Sequence, residues 1–139
     1  VARHRFELQP RWADMDAYGH VNNVTWLEYL QEARVDMLFV HASRRGAERL
    51  AQGVVVAQNE IDYKAPLVFR PRPVPIDLWV SRIGTASFGI DYDVSEPGSD
   101  GATVCYVRAS SVLVPVDPAT GQPRRLTAEE RDVLTAYAD

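Results

Sequence analysis

Asp14-Met15-Asp16-Ala17-Tyr18-Gly19-His20-Val21-Asn22-Asn23 runs directly into Val24-Thr25-Trp26-Leu27-Glu28-Tyr29-Leu30-Gln31-Glu32-Ala33-Arg34, and the seam between them decides how the rest of the chain is read. The first segment packs two carboxylates, an imidazole, two carboxamides and glycines' lone representative, Gly19, into ten residues. The second turns helical, and the pattern holds to about Val40. Leu27, Leu30, Ala33, Met37 and Leu38 fall at three- and four-residue steps and predict one apolar stripe. Asn22 or Asn23 can cap the start, and Thr25 with Glu28 offers a capping box. At about 1.5 Å per residue the helix would span roughly 25 Å.

Working outward, residues 3–10 alternate loosely and read as a first strand that Pro10 limits. Ser43–Gly53 is charged and reads as a loop or short helix. Val55, Ala57, Asn59, Ile61 and Tyr63 alternate with a mainly polar set, giving a strand with one wet face. Four prolines from Pro66 to Pro75 mark a bend; strands then follow over Ile76–Ile83, Phe88–Val94 and Ala102–Val116. Thr127 and Glu130 have capping-box spacing and open a short tail helix. The order predicts an α+β layer. About five antiparallel strands, four of them in a meander after the helix, would pack with one long helix in a single domain over residues 1–139.

Composition fits that reading. The chain has 139 residues, 46% hydrophobic and 24% charged, with a net charge of −4. This is ordinary globular composition with no basic stripe for nucleic acid. Arg44-Arg45 and Arg124-Arg125 read as solvated surface. No apolar run of about 18 residues suggests a membrane span, and no apolar leader is evident. The lone Cys105 sits in an apolar run; it cannot form an intrachain disulfide and reads as a buried, inert thiol. A cytoplasmic location is expected.

The chemistry lies in residues 14–23. The first N–H groups of a helix have no intrahelical partner and carry partial positive charge. A carbonyl placed there would be polarised, with Asn22 and Asn23 the natural backbone donors. Gly19 would let the chain turn and a ligand approach. Asp16 could act on such a carbonyl as general base or nucleophile. Asp14, two residues away, is assigned to holding the loop. His20 could orient a carboxylate or carry a proton. Two other readings stay open on spacing alone. These side chains could simply brace a turn before a capped helix. Asp14, Asp16 and His20 could also be metal ligands, although no fourth ligand is evident.

Arg11-Trp12-Ala13-Asp14-Met15-Asp16-Ala17-Tyr18-Gly19-His20-Val21-Asn22-Asn23, with Trp26 to Arg34, resembles the signature of the 4-hydroxybenzoyl-CoA thioesterase-like branch of the hot-dog superfamily. Ile61-Asp62-Tyr63-Lys64-Ala65-Pro66-Leu67 and Val80 to Phe88 resemble later strands of that family, and the spacing fits from about residue 3 to 126. The resemblance implies a sheet wrapped around the long helix. It also implies a homodimer, often paired into a tetramer, with active sites at the interface. The implied activity is acyl-CoA hydrolysis without metal or other cofactor. Asp16 would be the catalytic carboxylate, and the Asn23 N–H would polarise the thioester. Some relatives carry His or Tyr where this chain has Asn22 and Asn23. The Gly-His-Val-Asn-Asn form looks more like the branch acting on fatty acyl-CoA or acyl-carrier-protein thioesters.

Val21 and Asn22 belong to the expected binding loop with Gly19. Tyr63, Lys64 and Ser87 are the candidates for contact with the thioester or pantetheine, and Arg70 and Arg72 for the nucleotide phosphates. Two competing functions remain at this stage: a non-catalytic acyl-CoA or acyl-carrier binder, and a hot-dog hydratase or dehydratase.

Overall fold

A computed structural model describes residues 3–139; the first two positions of the expected domain lie outside the described residues. Five strands form one antiparallel sheet: β1 (His4–Leu8), β2 (Val54–Tyr63), β3 (Val74–Ile83), β4 (Phe88–Pro97) and β5 (Thr103–Pro115). Helix α1 (Asn23–Val35) continues into a π-helical segment (Asp36–Ala42), followed by the short α2 (Glu48–Gln52). A final helix, α3 (Ala128–Ala136), closes the chain.

The strand order is β1-β3-β4-β5-β2, which corrects the expected four-strand meander. Only β3, β4 and β5 follow one another in space. β2 lies at the far edge beside β5, from Val54 opposite Pro115 to Tyr63 opposite Val107. Residues 64–73 therefore carry the chain from that edge back to β3. Leu67, in this crossing, is buried and accepts the Val21 N–H at 2.9 Å. The proline-rich bend is thus seated against the loop that precedes α1.

The helix buries four of the five expected stripe residues and replaces the fifth, Leu27, with two aromatics. Trp26, Tyr29, Leu30 and Ala33 face the core, joined by Met37 and Leu38, while Leu27 is largely exposed. Aromatic residues at 26 and 29 keep the three- and four-residue period but rotate the stripe off Leu27. The cap is Asn22: its side chain accepts the Val24 N–H at 2.9 Å. No Thr25–Glu28 box forms. The other predicted box does form, with Thr127 and Glu130 bonding reciprocally at the start of α3.

The core is a single cluster of α1 and π-segment residues against Val74, Ile76, Leu78, Phe88, Ile90, Tyr92, Val94, Val107 and Leu113 of β3, β4 and β5. The alternation of β3, with Val74, Ile76, Leu78 and Val80 buried, is that of a strand with one face on the helix. β2 behaves otherwise. Expected to have one wet face, it is exposed on nearly every residue, with Val55 at 49% and Val56 at 41%. It is a ten-residue edge strand.

Three further sequence readings change. Arg124 is not solvated surface: it pairs with Glu130 at 2.7 Å, its side chain only 13% exposed. Arg70 is not free for phosphate, because its guanidinium is held by Glu96 and the Pro73 carbonyl. Cys105 is half-buried rather than buried, with its sulfur 3.8 Å from Asp93 Oδ1. No helix among the described residues is long and apolar enough to cross a membrane.

Candidate active site

Residues 15–21 form a tight hairpin. Met15 bridges Val21, the Asp16 N–H donates to the His20 carbonyl at 2.9 Å, and the Gly19 N–H donates to the Asp16 carbonyl at 3.0 Å. Gly19 makes this possible at φ +82°, a left-handed conformation that most residues avoid. The loop is anchored from below by Asp14, which is buried. Arg11 donates to Asp14 at 2.7 Å, and the Tyr29 hydroxyl, in the second turn of α1, donates at 2.5 Å. Burial works against the Asp14 charge, but these bonds outweigh it and hold the carboxyl below its ordinary range. Burial and the same carboxylate push the Tyr29 phenol up. Asp14 thus sits buried beneath the loop while Asp16 lines the cleft. Residues two apart in extended chain would share a face, and it is the 3-10 turn over Trp12–Asp14 that separates them.

Asp16 faces the helix start. Its Oδ1 accepts the Tyr18 N–H at 2.9 Å, and its Oδ2 lies 3.5 Å from the Asn22 amide nitrogen. Asn22 therefore does two things. Its oxygen caps the helix through Val24, and its nitrogen reaches the Asp16 carboxylate. With Val24 so occupied, the Asn23 N–H is the first helix donor with no acceptor among the described residues. The Asn23 carbonyl accepts the Tyr63 hydroxyl at 2.8 Å, which ties the end of β2 to the start of α1. Burial raises the Tyr63 phenol, keeping it a donor.

These groups line an open cleft of about 600 Å³. Asp16, His20, Val21, Asn22, Asn23, Tyr63 and Lys64 all contribute to its wall. The fold thus brings together seven of the nine residues singled out for catalysis or for contact around the thioester, and neither Arg70 nor Arg72 lines the cleft. Gly19 shapes the hairpin without lining the cleft. Ser87 lies apart in the β3–β4 turn, where its hydroxyl accepts from Arg82 at 3.3 Å. Trp26, Ala65 and Pro66 also line the cleft and were not anticipated. Trp26 is buried and packs edge-on against Tyr29 at 5.4 Å; its place on the helical period was the available signal. Ala65 and Pro66 arrive through the crossing segment, which strand patterning alone does not place.

A carboxylate and a helix-start N–H without an acceptor among the described residues thus meet in one cleft of a sheet-and-helix domain of hot-dog architecture. Residues 10–134 match the thioesterase-like superfamily, and the chain belongs to that family. Among solved structures, a thioesterase from Thermus thermophilus complexed with coenzyme A and Zn is 26% identical, with a TM-score of 0.75, covering 96% of this chain and 92% of its own. A candidate acyl-CoA thioesterase from Xanthomonas campestris is 32% identical, with a TM-score of 0.70, covering 88% of this chain and 98% of its own. A predicted thioesterase from Bacillus stearothermophilus shares the fold at 22% identity, with a TM-score of 0.83 over 99% and 98% of the two chains. No match is found among curated proteins.

Proposed function

We propose that the protein is an acyl-CoA thioesterase in which Asp16 and the Asn23 N–H act on the two sides of one thioester. The observation that carries this reading is their convergence in the cleft, with Asn22 bonded to both the helix start and the carboxylate. The thioester oxygen accepts from the Asn23 N–H, and negative charge developing there is stabilised. Asp16 takes a proton from water as the water oxygen bonds the acyl carbon. The carbon–sulfur bond then breaks, and the CoA sulfur leaves with a proton as thiol. Direct attack by Asp16, with water opening the resulting anhydride, reaches the same free acid and CoA. His20, on the cleft wall, is placed to position the water or the carboxylate. Neither route calls for a metal or redox cofactor. Lys64, in the cleft mouth, supplies a cation for an anionic part of the substrate.

The edge of β2 supports assembly as a homodimer. Its outer backbone groups are an unpaired row on a ten-residue strand, the kind of edge that pairs with another chain. Its last residue, Tyr63, lines the cleft. A partner along β2 would therefore wall the cleft and narrow it around the pantetheine arm. Coenzyme A in the Thermus relative and the description of the Xanthomonas relative favour acyl-CoA over other esters.

The test is thiol release from purified protein offered aliphatic and aromatic acyl-CoAs. Turnover is expected, and Asp16→Asn should lose about 10²–10⁴ in kcat. Binding of acyl-CoA without thiol release by the wild type would replace the enzyme with a carrier. Water added across a double bond without thiol release would indicate a hydratase.

A further inference from the structure

Two of the chain's three histidines lie outside the cleft, and both converge on one carboxylate. His4 comes from β1, Asp36 opens the π-helical segment, and His41 stands near its end. His4 Nε2 is 2.7 Å from Asp36 Oδ2, and His41 Nε2 is 3.5 Å from the same oxygen. One ligand atom from each of the three lies within 4.8 Å of the others. The two imidazole rings are 4.7 Å apart between centroids, tilted by 57°. The buried Tyr137 ring stands edge-on to His4 at 6.0 Å and fixes that side of the cluster.

The winding of the helix creates this meeting. At about 100° per residue, an α-helix would turn positions i and i+5 roughly 140° apart. Asp36 and His41 would then face different directions. The π segment closes i to i+5 and stacks them instead. A hydrogen-bonded fastener between β1 and the helix needs only His4 and Asp36, which already share a bond. His41 makes no hydrogen bond to Asp36 and forms an ion pair with it only when its ring is protonated, so the fastener does not require it.

We propose that His4, Asp36 and His41 form a binding site for a divalent transition-metal ion, Zn²⁺ foremost, with water in the fourth position. Two imidazoles and a carboxylate are ligands of the borderline type such ions take. With bonds near 2.0–2.2 Å, tetrahedral ligand atoms stand about 3.3 Å apart. The two separations to Asp36, 2.7 and 3.5 Å, bracket that spacing, and the third lies within 4.8 Å, so shifts of side chains alone would close the site. The ion replaces the proton shared between His4 and Asp36, which moves to the other ring nitrogen or to solvent. Asp36 lies thirteen positions after Asn23, about 20 Å along the helix. The ion would therefore clamp β1 to the helix end and take no part in hydrolysis, so the site stands independently of the thioesterase reading.

Tag-free protein, stripped with EDTA and desalted, should bind one Zn²⁺ per chain by calorimetry and gain in Tm. Co²⁺ in its place should give the visible absorption of a four-coordinate ion, while Mg²⁺ should do neither. His41→Ala removes a partly exposed side chain with no hydrogen bond to Asp36, and Asp36→Asn preserves shape. Each should lose the Zn²⁺-dependent Tm rise and the cobalt spectrum while still folding cooperatively. The cleft variant Asp16→Asn/His20→Ala should keep both signals. Absence of saturable binding in the wild type, full binding in His41→Ala, or loss of binding in the cleft variant would each overturn the proposal.

Discussion

Two carboxylates two residues apart have opposite surroundings, and that contrast organises the site at the residue scale. Asp14 is locked beneath the loop by Arg11 and Tyr29, whereas Asp16 meets the cleft with only the Tyr18 N–H and the Asn22 amide nearby. The two should separate cleanly on mutation. Asp16→Asn is expected to cost turnover with Tm unchanged. Tyr29→Phe should instead cost about 1.5–3 kcal/mol of stability, because it strips a hydrogen bond from a buried charge. Urea unfolding followed by circular dichroism would measure that difference. Asn22→Ala should do both: about 1 kcal/mol lost with the cap, and a fall in kcat as Asp16 loses its amide neighbour. A variant with full activity would separate the cap from the proposed chemistry.

Among the elements, α3 and β2 show what local sequence can and cannot specify. Thr127 and Glu130 form a reciprocal cap, and the carboxylate is also gripped by Arg124. Thr127→Ala should therefore destabilise by about 1 kcal/mol or slightly more, read as a lower urea midpoint. β2 carries the assembly prediction. Val55→Lys/Val56→Lys places charge on both faces of an exposed edge, the usual deterrent to strand pairing. Light scattering is expected to show the mass halved relative to the wild type, with thioester turnover falling alongside. Caps, strands and the long helix were legible because each is written in a few neighbouring residues. The place of β2 was not, because Val54 finds Pro115 rather than a sequence neighbour. The π winding was hidden because Asp36 and His41 fall on different faces at the ordinary helical period. In the site, the loop of residues 14–23 announced itself by its density of polar groups. Trp26 and Pro66 did not, since a helical stripe and a proline bend look alike inside a cleft and away from one. Arg70 and Arg124 misled for the related reason that a charged residue in a loop carries no mark of an inward partner.

For the whole molecule, four carboxylates among the described residues are held below their ordinary values, the exposed Asp139 by Arg3 and three less exposed ones by partners nearer the core. Burial opposes the charge of Glu130, but Arg124 and the Thr127 hydrogen bonds together outweigh it; Arg70 lowers Glu96; and Arg11 with Tyr29 lowers Asp14 against burial. Each binds its proton more weakly folded than unfolded, so the unfolded chain takes up more protons in acid. The stability they contribute is complete above the ordinary values of 4.5 for Glu and 3.8 for Asp, and is lost as pH falls through the lower folded ones. Urea midpoints should accordingly stay flat from about pH 7 to 5 and drop steeply below about pH 4. Glu130→Gln should soften that drop. A midpoint that rose on acidification would contradict the ion-pair account.

The strand order also implies a schedule for folding. Ile83 meets Phe88 across a short turn, whereas His4 must find Leu78 and Val54 must find Pro115 from far along the chain. Closing those long loops costs entropy that the central hairpins avoid. The β3–β4–β5 hairpins are thus placed to form early, and the two edges to dock onto them late. Tyr63 reaches the Asn23 carbonyl only once β2 has docked. Catalytic competence should then lag behind the bulk of secondary structure during refolding, an interval that turnover and circular dichroism recorded together would reveal.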